Sequence, residues 1–411
     1  MFFIFDDKKT PALKGNIGEW SEIYVFFRLL ASGRLDVADD KLIAVPNEFY
    51  KILAILRKEN KSENEYLRAD DIIRIRVTND ETNNVEEFQM SVQQFADAAN
   101  TLLEHLKKLS GKRTAAYPEI QGFMEELKIY SIKDVGHKRD ITISIEDYRN
   151  HMEQTLGFSI KSYLGKSSTL FNPGAGTNFI YRIELPNSIP FDCDSFNKDT
   201  YYGDGYSDGK ISYRLARLEN LGAAISFDHI QSDCLHQNLR TIDSEMPTIM
   251  AHALLIKYKY KLTDWCDIVE KLNELNPLGF RITADSQVYG YKIKRFLQDA
   301  AMGMTPEKPW TGIYDATGGQ IVVKKDGNIV CYHVYELNRY LNFLFNETRL
   351  EQASTCEDEE NPGHVRINPE KGKPNKPYLF GWVYEEDGSL FIKINLQVRF
   401  KDLVKKKNKK K

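Results

Sequence analysis

Cysteine is scarce in this 411-residue chain. The five present (Cys193, Cys234, Cys266, Cys331 and Cys356) are scattered and nowhere spaced Cys-x-x-Cys. That argues against a structural zinc site and for a reducing, cytoplasmic compartment. Long apolar runs are also missing. Met1 to Phe5 is apolar, but Asp6, Asp7, Lys8 and Lys9 end the run, and no later stretch approaches the ~20 residues of a membrane helix. No membrane partner is therefore expected. There is no large charge excess, the formal net charge being −3, so partners must be read from charge distribution rather than from the sum. Gly174-Ala175-Gly176 is too short for a phosphate loop and lacks a following Lys-Ser or Lys-Thr. Asp199, Asp204 and Asp208 lack the spacing of a calcium loop. No Ser-His-Asp pattern and no internal repeat occur, and His229, His236 and His252 read as ordinary surface or core residues.

What is present is an ordinary globular composition, 42% hydrophobic and 28% charged, enough for a large core and two or three subdomains. The expected class is α/β in the α+β sense: a mixed-sheet core flanked by helices, a helical middle region and a β-rich C-terminal part. The boundaries fall at 1–190, 191–305 and 306–411. Glu19 to Leu30 carries a helical pattern closed near Gly33, and Val92 to Leu109 reads as an amphipathic helix. Arg57 to Glu65 is charged and poorly periodic, and reads as an exposed loop. Asp326-Gly327 and Asp387-Gly388 each mark a hairpin. From Ser389 onward nine basic residues face one acid, Asp402. The extreme tail reads as disordered, either a source of non-specific phosphate attraction or only a solubilising end.

The chemistry concentrates in two short segments, Lys138 to Ile145 and Gly157 to Ser162, each patterned as a strand. Side chains two apart share a face, so Ser159 and Lys161 point one way while Phe158 and Ile160 enter a core. Asp140 opens the first strand. A carboxylate beside a lysine on adjacent strands suits metal-assisted phosphodiester hydrolysis, in which a cation polarises phosphate and the ammonium offsets developing charge. The plain alternative is a solvated sheet face.

Four separated segments carry a resemblance: Gly15 to Tyr24 (GNIGEWSEIY), Leu156 to Ser162 (LGFSIKS), Leu170 to Ile180 (LFNPGAGTNFI) and Lys308 to Gly319 (KPWTGIYDATGG). In this order they resemble the HpaII family of type II restriction endonucleases, from about residue 14 to residue 400. The resemblance implies a restriction-endonuclease-like PD-(D/E)XK core that cuts both strands of double-stranded DNA at a short site with Mg²⁺. The family precedent is CCGG, with 5′-phosphate ends. It also implies a cognate DNA methyltransferase as functional partner, and a homodimer is the usual way to cut two strands of a palindrome.

The resemblance places the metal-binding aspartate at Asp140 and the catalytic lysine at Lys161. Two residues before that lysine an acid or amide is usual, and here stands Ser159, a weak ligand for a hard cation. Glutamates of the first helix are then the candidates to complete the metal shell: Glu22, with Glu19 close behind, three apart and on one face. DNA contacts are expected from Lys138, Arg139, Ser162, Asn172, Thr177 and Asn178. They are also expected from the polar face of Ser389 to Phe400, where Lys393, Asn395, Gln397 and Arg399 alternate with apolar residues. The solvent face of an antiparallel sheet produces the same alternation. Base reading by that strand implies that Asn395→Ala weakens discrimination against mismatched sites. The serine at position 159 keeps a non-cleaving DNA-binding protein in view, and a nuclease acting on branched or damaged DNA is the other alternative.

Overall fold

The computed structural model describes residues 11–109, 114–135, 139–165, 169–186, 190–199, 210–283, 286–314, 316–353, 367–368, 373–374 and 380–401. Lys138, His137, most of the Asp194 to Gly209 segment and the lysine-rich tail lie outside the described residues. The chain divides into two compact units, Met1–Ser168 with Tyr314–Tyr340, and Thr169–Ile313 with Leu341–Lys411.

The first unit is built around a helix, α1 (Ile17–Ser32). The Asn16 side chain accepts from the Glu19 N–H, while the Glu19 carboxylate accepts from the Asn16 N–H at 2.8 Å. This reciprocal capping box satisfies two donors that the first turn leaves free. At the other end Gly33 takes φ 69°, the left-handed region that a side chain resists, and its N–H meets the Leu29 carbonyl. Trp20, Ile23, Tyr24, Phe26, Phe27 and Leu30 are all buried, so α1 is an interior helix rather than a one-faced surface helix.

Five strands follow: β1 (Arg34–Ala38), β2 (Ala44–Lys58), β3 (Ser62–Ala69), β4 (Ile72–Asn79) and β5 (Val85–Ser91). After α2 (Val92–Lys108) and α3 (Pro118–Glu126) come β6 (Ile141–Glu146) and β7 (Glu153–Ser162). With the hairpin Gly319–Val323 and Ile329–His333 they form a mixed sheet, nine-stranded among the described residues. Its order is β1, Ile329–His333, Gly319–Val323, β7, β6, β2, β3, β4, β5. Only β7 with Gly319–Val323 and β1 with Ile329–His333 run parallel. Because β1 also pairs with β2, six of these strands close into a ring. The buried core of Ile143, Ile145, Phe158, Ile321, Val323 and Cys331 joins α1 to the sheet.

Two sequence expectations change here. Arg57 to Glu65 is not an exposed loop: it is the end of β2, a turn and the start of β3, with Arg57 paired to Asn64. Arg57 and Glu59 are buried and bridge at 2.7 Å, so their charges are matched internally rather than solvated. The Asp326-Gly327 hairpin forms as expected, but it joins the nine-stranded sheet through β7 rather than the C-terminal strands. Parallel pairing links segments far apart in sequence, which local patterning does not reveal.

In the second unit the antiparallel strands Ala224–Ile230, Asn178–Glu184, Ser389–Asn395 and Val383–Glu386 lie side by side in that order. Helices Lys210–Asn220, Asp233–Ile242, Met246–Lys259, Trp265–Leu275 and Val288–Ala301 belong to the same unit. Met246–Lys259 is buried on nearly every side. The helical middle region and the C-terminal strands thus share one unit.

Candidate active site

The β6–β7 pairing sets Ile141 opposite Phe158, which brings Asp140, just before β6, level with Ser159. The Asp140 carboxylate accepts from the Ile160 N–H at 2.6 Å and from the Ser159 hydroxyl at 3.3 Å. It is therefore held at the strand edge by a backbone donor and a side-chain donor. Lys161, two residues beyond Ser159 on the same face, is half-buried and has no hydrogen bond or ion pair among the described residues. Its ammonium is available to a phosphate or a water.

The two helix acids divide their work. Glu19 is spent on the capping box and on Lys133, 3.1 Å away. Although burial acts to raise it, the Asn16 N–H and the Lys133 ammonium leave its carboxyl below the usual value. Glu22, one turn on, lies with Asp140, Arg57, Asp134, Phe26 and Ile55 around a small recess. Burial, and then the Asp140 charge, push the Glu22 carboxyl up to about 8, against the pull of Lys133 and Arg57. Helix α1 is fixed against β7 where the Ser21 hydroxyl meets the Ser162 hydroxyl at 2.8 Å, which sets where Glu22 can sit.

A carboxyl kept protonated near neutral pH by burial and a neighbouring carboxylate marks a place short of positive charge. Asp140 and Glu22 supply hard oxygens suited to Mg²⁺, an ion that keeps several waters and needs only one or two carboxylates. Among the described residues no group of three or more His, Cys, Asp or Glu side chains gathers to hold a metal, so a cation here would rest on this pair and on water.

Lys133, Asp134 and Arg57 are neighbours of the acids that the sequence reading missed. Lys133 and Asp134 lie in an irregular segment with no periodicity to mark them, and Arg57 was hidden in the supposed loop.

The expected DNA contacts are placed unevenly. Arg139 donates to the Thr142 hydroxyl at 2.8 Å and lies across Gly157, where a Cβ would come within 2.1 Å of its Cδ. With Lys58 and Arg76 it lines an open groove on the first unit. Asn172 is exposed. Thr177, Asn178 and Asn395 are buried, the Asn395 amide lying 2.8–2.9 Å from the Gly174 carbonyl, the Thr177 hydroxyl and the Asn178 amide oxygen. Gln397 is buried as well. Lys393 lies 4.8 Å over the Tyr384 ring, and Arg399 is half-buried with its Nε unmet. The alternating strand is thus covered over much of both faces.

Comparison with known proteins follows the same direction. The HpaII restriction endonuclease family model matches residues 16–400. The type II restriction enzyme HpaII of Haemophilus parainfluenzae is 34% identical over 396 residues, which is 95% of this chain and 99% of that protein. No solved structure matches the chain.

Proposed function

The chain belongs to the HpaII restriction endonuclease family, and from that premise we propose that it hydrolyses double-stranded DNA at a short specific site with Mg²⁺, using Asp140, Glu22 and Lys161. The observation that supports the assignment is that half-buried Glu22 and Asp140 line one recess, with Asp140 held by the Ile160 N–H and the Ser159 hydroxyl on the strand that carries Lys161. A PD-(D/E)XK-type core accounts for the order of these parts.

Asp140 and Glu22 would hold the cation, which when bound supplies Lewis-acid polarisation of the scissile phosphate and a more acidic water. The Ile160 N–H and the Ser159 hydroxyl fix the Asp140 oxygens, so that carboxylate need not reorganise during the reaction. Lys161 orients the attacking water and offsets the charge growing on the phosphorane. The 3′ oxygen leaves with a proton from solvent, giving 5′-phosphate ends. Arg139, outside the acid pair, serves phosphate contact. The family precedent sets CCGG as the first site to test. A cognate methyltransferase protects the host site, and a homodimer cuts both strands of a palindrome.

The test is cleavage of unmethylated phage DNA with fragment-end sequencing. Lys161→Ala and Asp140→Ala are expected to lose cleavage by at least about 100-fold while retaining DNA binding in Ca²⁺. Full activity in either purified variant overturns the assignment. Cutting at scattered positions would instead favour a structure-specific nuclease, and binding by the parent chain without cutting a non-cleaving relative.

A further inference from the structure

Strand Gly319–Val323 runs parallel to β7 with Gln320 beside Ser159 and Val322 beside Lys161. Residues paired in register project from the same face of a sheet. Gln320 therefore shares the face that carries Ser159 and Lys161. Its side chain is fully buried, yet neither the carboxamide oxygen nor the nitrogen has a hydrogen-bond partner among the described residues. A buried amide with both ends unmet is rare, and a water, an ion or a reacting group is the usual reason for one.

The neighbouring chemistry supplies such a reason. Two carboxylates leave most of the shell of a small hard cation to water, and those waters need acceptors and donors to hold them. The Ser159 hydroxyl already gives its proton to Asp140, so it can only accept from a water. An amide beside it offers both an acceptor and a donor.

We propose that Gln320 is a positioning residue for cleavage, its carboxamide and the Ser159 hydroxyl together holding a water beside Lys161. The water donates to Oε1. The inference rests on the nuclease reading above and adds to it a residue from a distant part of the chain.

Three variants test it: Gln320→Leu, Gln320→Glu, and Gln320→Leu combined with Ser159→Asp. Each is measured for Mn²⁺ binding by electron paramagnetic resonance without DNA, for single-turnover cleavage of phage DNA, and for unfolding temperature. Gln320→Leu is expected to weaken Mn²⁺ binding and slow cleavage about 100-fold. Its unfolding temperature should equal or exceed that of the parent, because the removed amide makes no hydrogen bond to the described residues of the protein. Adding Ser159→Asp, which supplies a new acceptor, should restore Mn²⁺ binding. Parental Mn²⁺ affinity and cleavage in Gln320→Leu overturn the role. If Gln320→Leu is destabilised, Gln320→Glu decides: Mn²⁺ binding at least as tight as the parent's supports the role, and weaker binding overturns it. Loss of cleavage in Lys161→Ala with parental rates in Gln320→Leu removes Gln320 alone and leaves the nuclease intact. A parent chain that cuts no DNA overturns the nuclease reading itself.

Discussion

Glu22 couples the protonation of this site to the stability of the whole first unit. Its carboxyl titrates at about 8 in the folded chain, against an ordinary value of 4.5. The folded state therefore holds the proton more tightly than the unfolded state does. The stability this contributes is complete below 4.5 and is lost as pH rises through the folded value. A divalent cation that binds the ionised pair should reverse that loss. Without cation, the unfolding temperature is expected to fall from about pH 5 to about pH 8.5, with Ca²⁺ restoring it at the upper end. Glu22→Gln should flatten both responses. A parent chain whose unfolding temperature ignores pH over that window would show Glu22 already ionised at neutral pH. By the same linkage, Mn²⁺ affinity should rise with pH, since binding must expel the Glu22 proton.

At the scale of elements, the polar caps and knots are what a substitution can weigh. Asn16→Ala removes half of the capping box of α1 and is expected to cost about 1 kcal/mol in chemical denaturation. Asn395→Ala leaves the Gly174 carbonyl and the Thr177 and Asn178 side chains without that amide. It is expected to cost about 2 kcal/mol or more, so specificity measured on this variant must be read beside its unfolding curve. Unchanged stability in Asn395→Ala would show that water replaces the amide at no cost. These cases also show what the sequence made legible. Helix α1 announced itself through the helical pattern from Glu19 to Leu30 and through Gly33, and β6 and β7 through alternation about Asp140 and Lys161. Strands β2 to β4 did not, because cross-strand ion pairs such as Lys58 with Glu63 and Arg76 with Glu87 make strand faces look like loops. The alternation in Ser389–Asn395 was visible, but not that Asn395 on its polar side would be enclosed. Burial on both faces depends on what packs against a strand, which periodicity does not encode. Lys133 and Gln320 stayed invisible for a related reason: their importance comes from neighbours far away in the chain.

The first unit as a whole is assembled from two widely separated stretches of sequence. A chain ending at Ile313 would lack the hairpin that pairs with β7 and with β1, leaving both edges open to other chains. Such a truncation is expected to be insoluble and unable to cut DNA, with sedimentation and cleavage assays as the checks. A soluble, active product would show that the ring is dispensable. The closed ring also has a consequence for synthesis. Ribosomes deliver the chain from its N-terminus, and domains fold as their segments emerge. Helix α1, Asp140 and Lys161 all leave the exit tunnel long before Ile329–His333, the strand that joins β1 to the hairpin. The segment carrying Asp140 and Lys161 is thus present in outline on the nascent polypeptide long before the ring of strands around it can close.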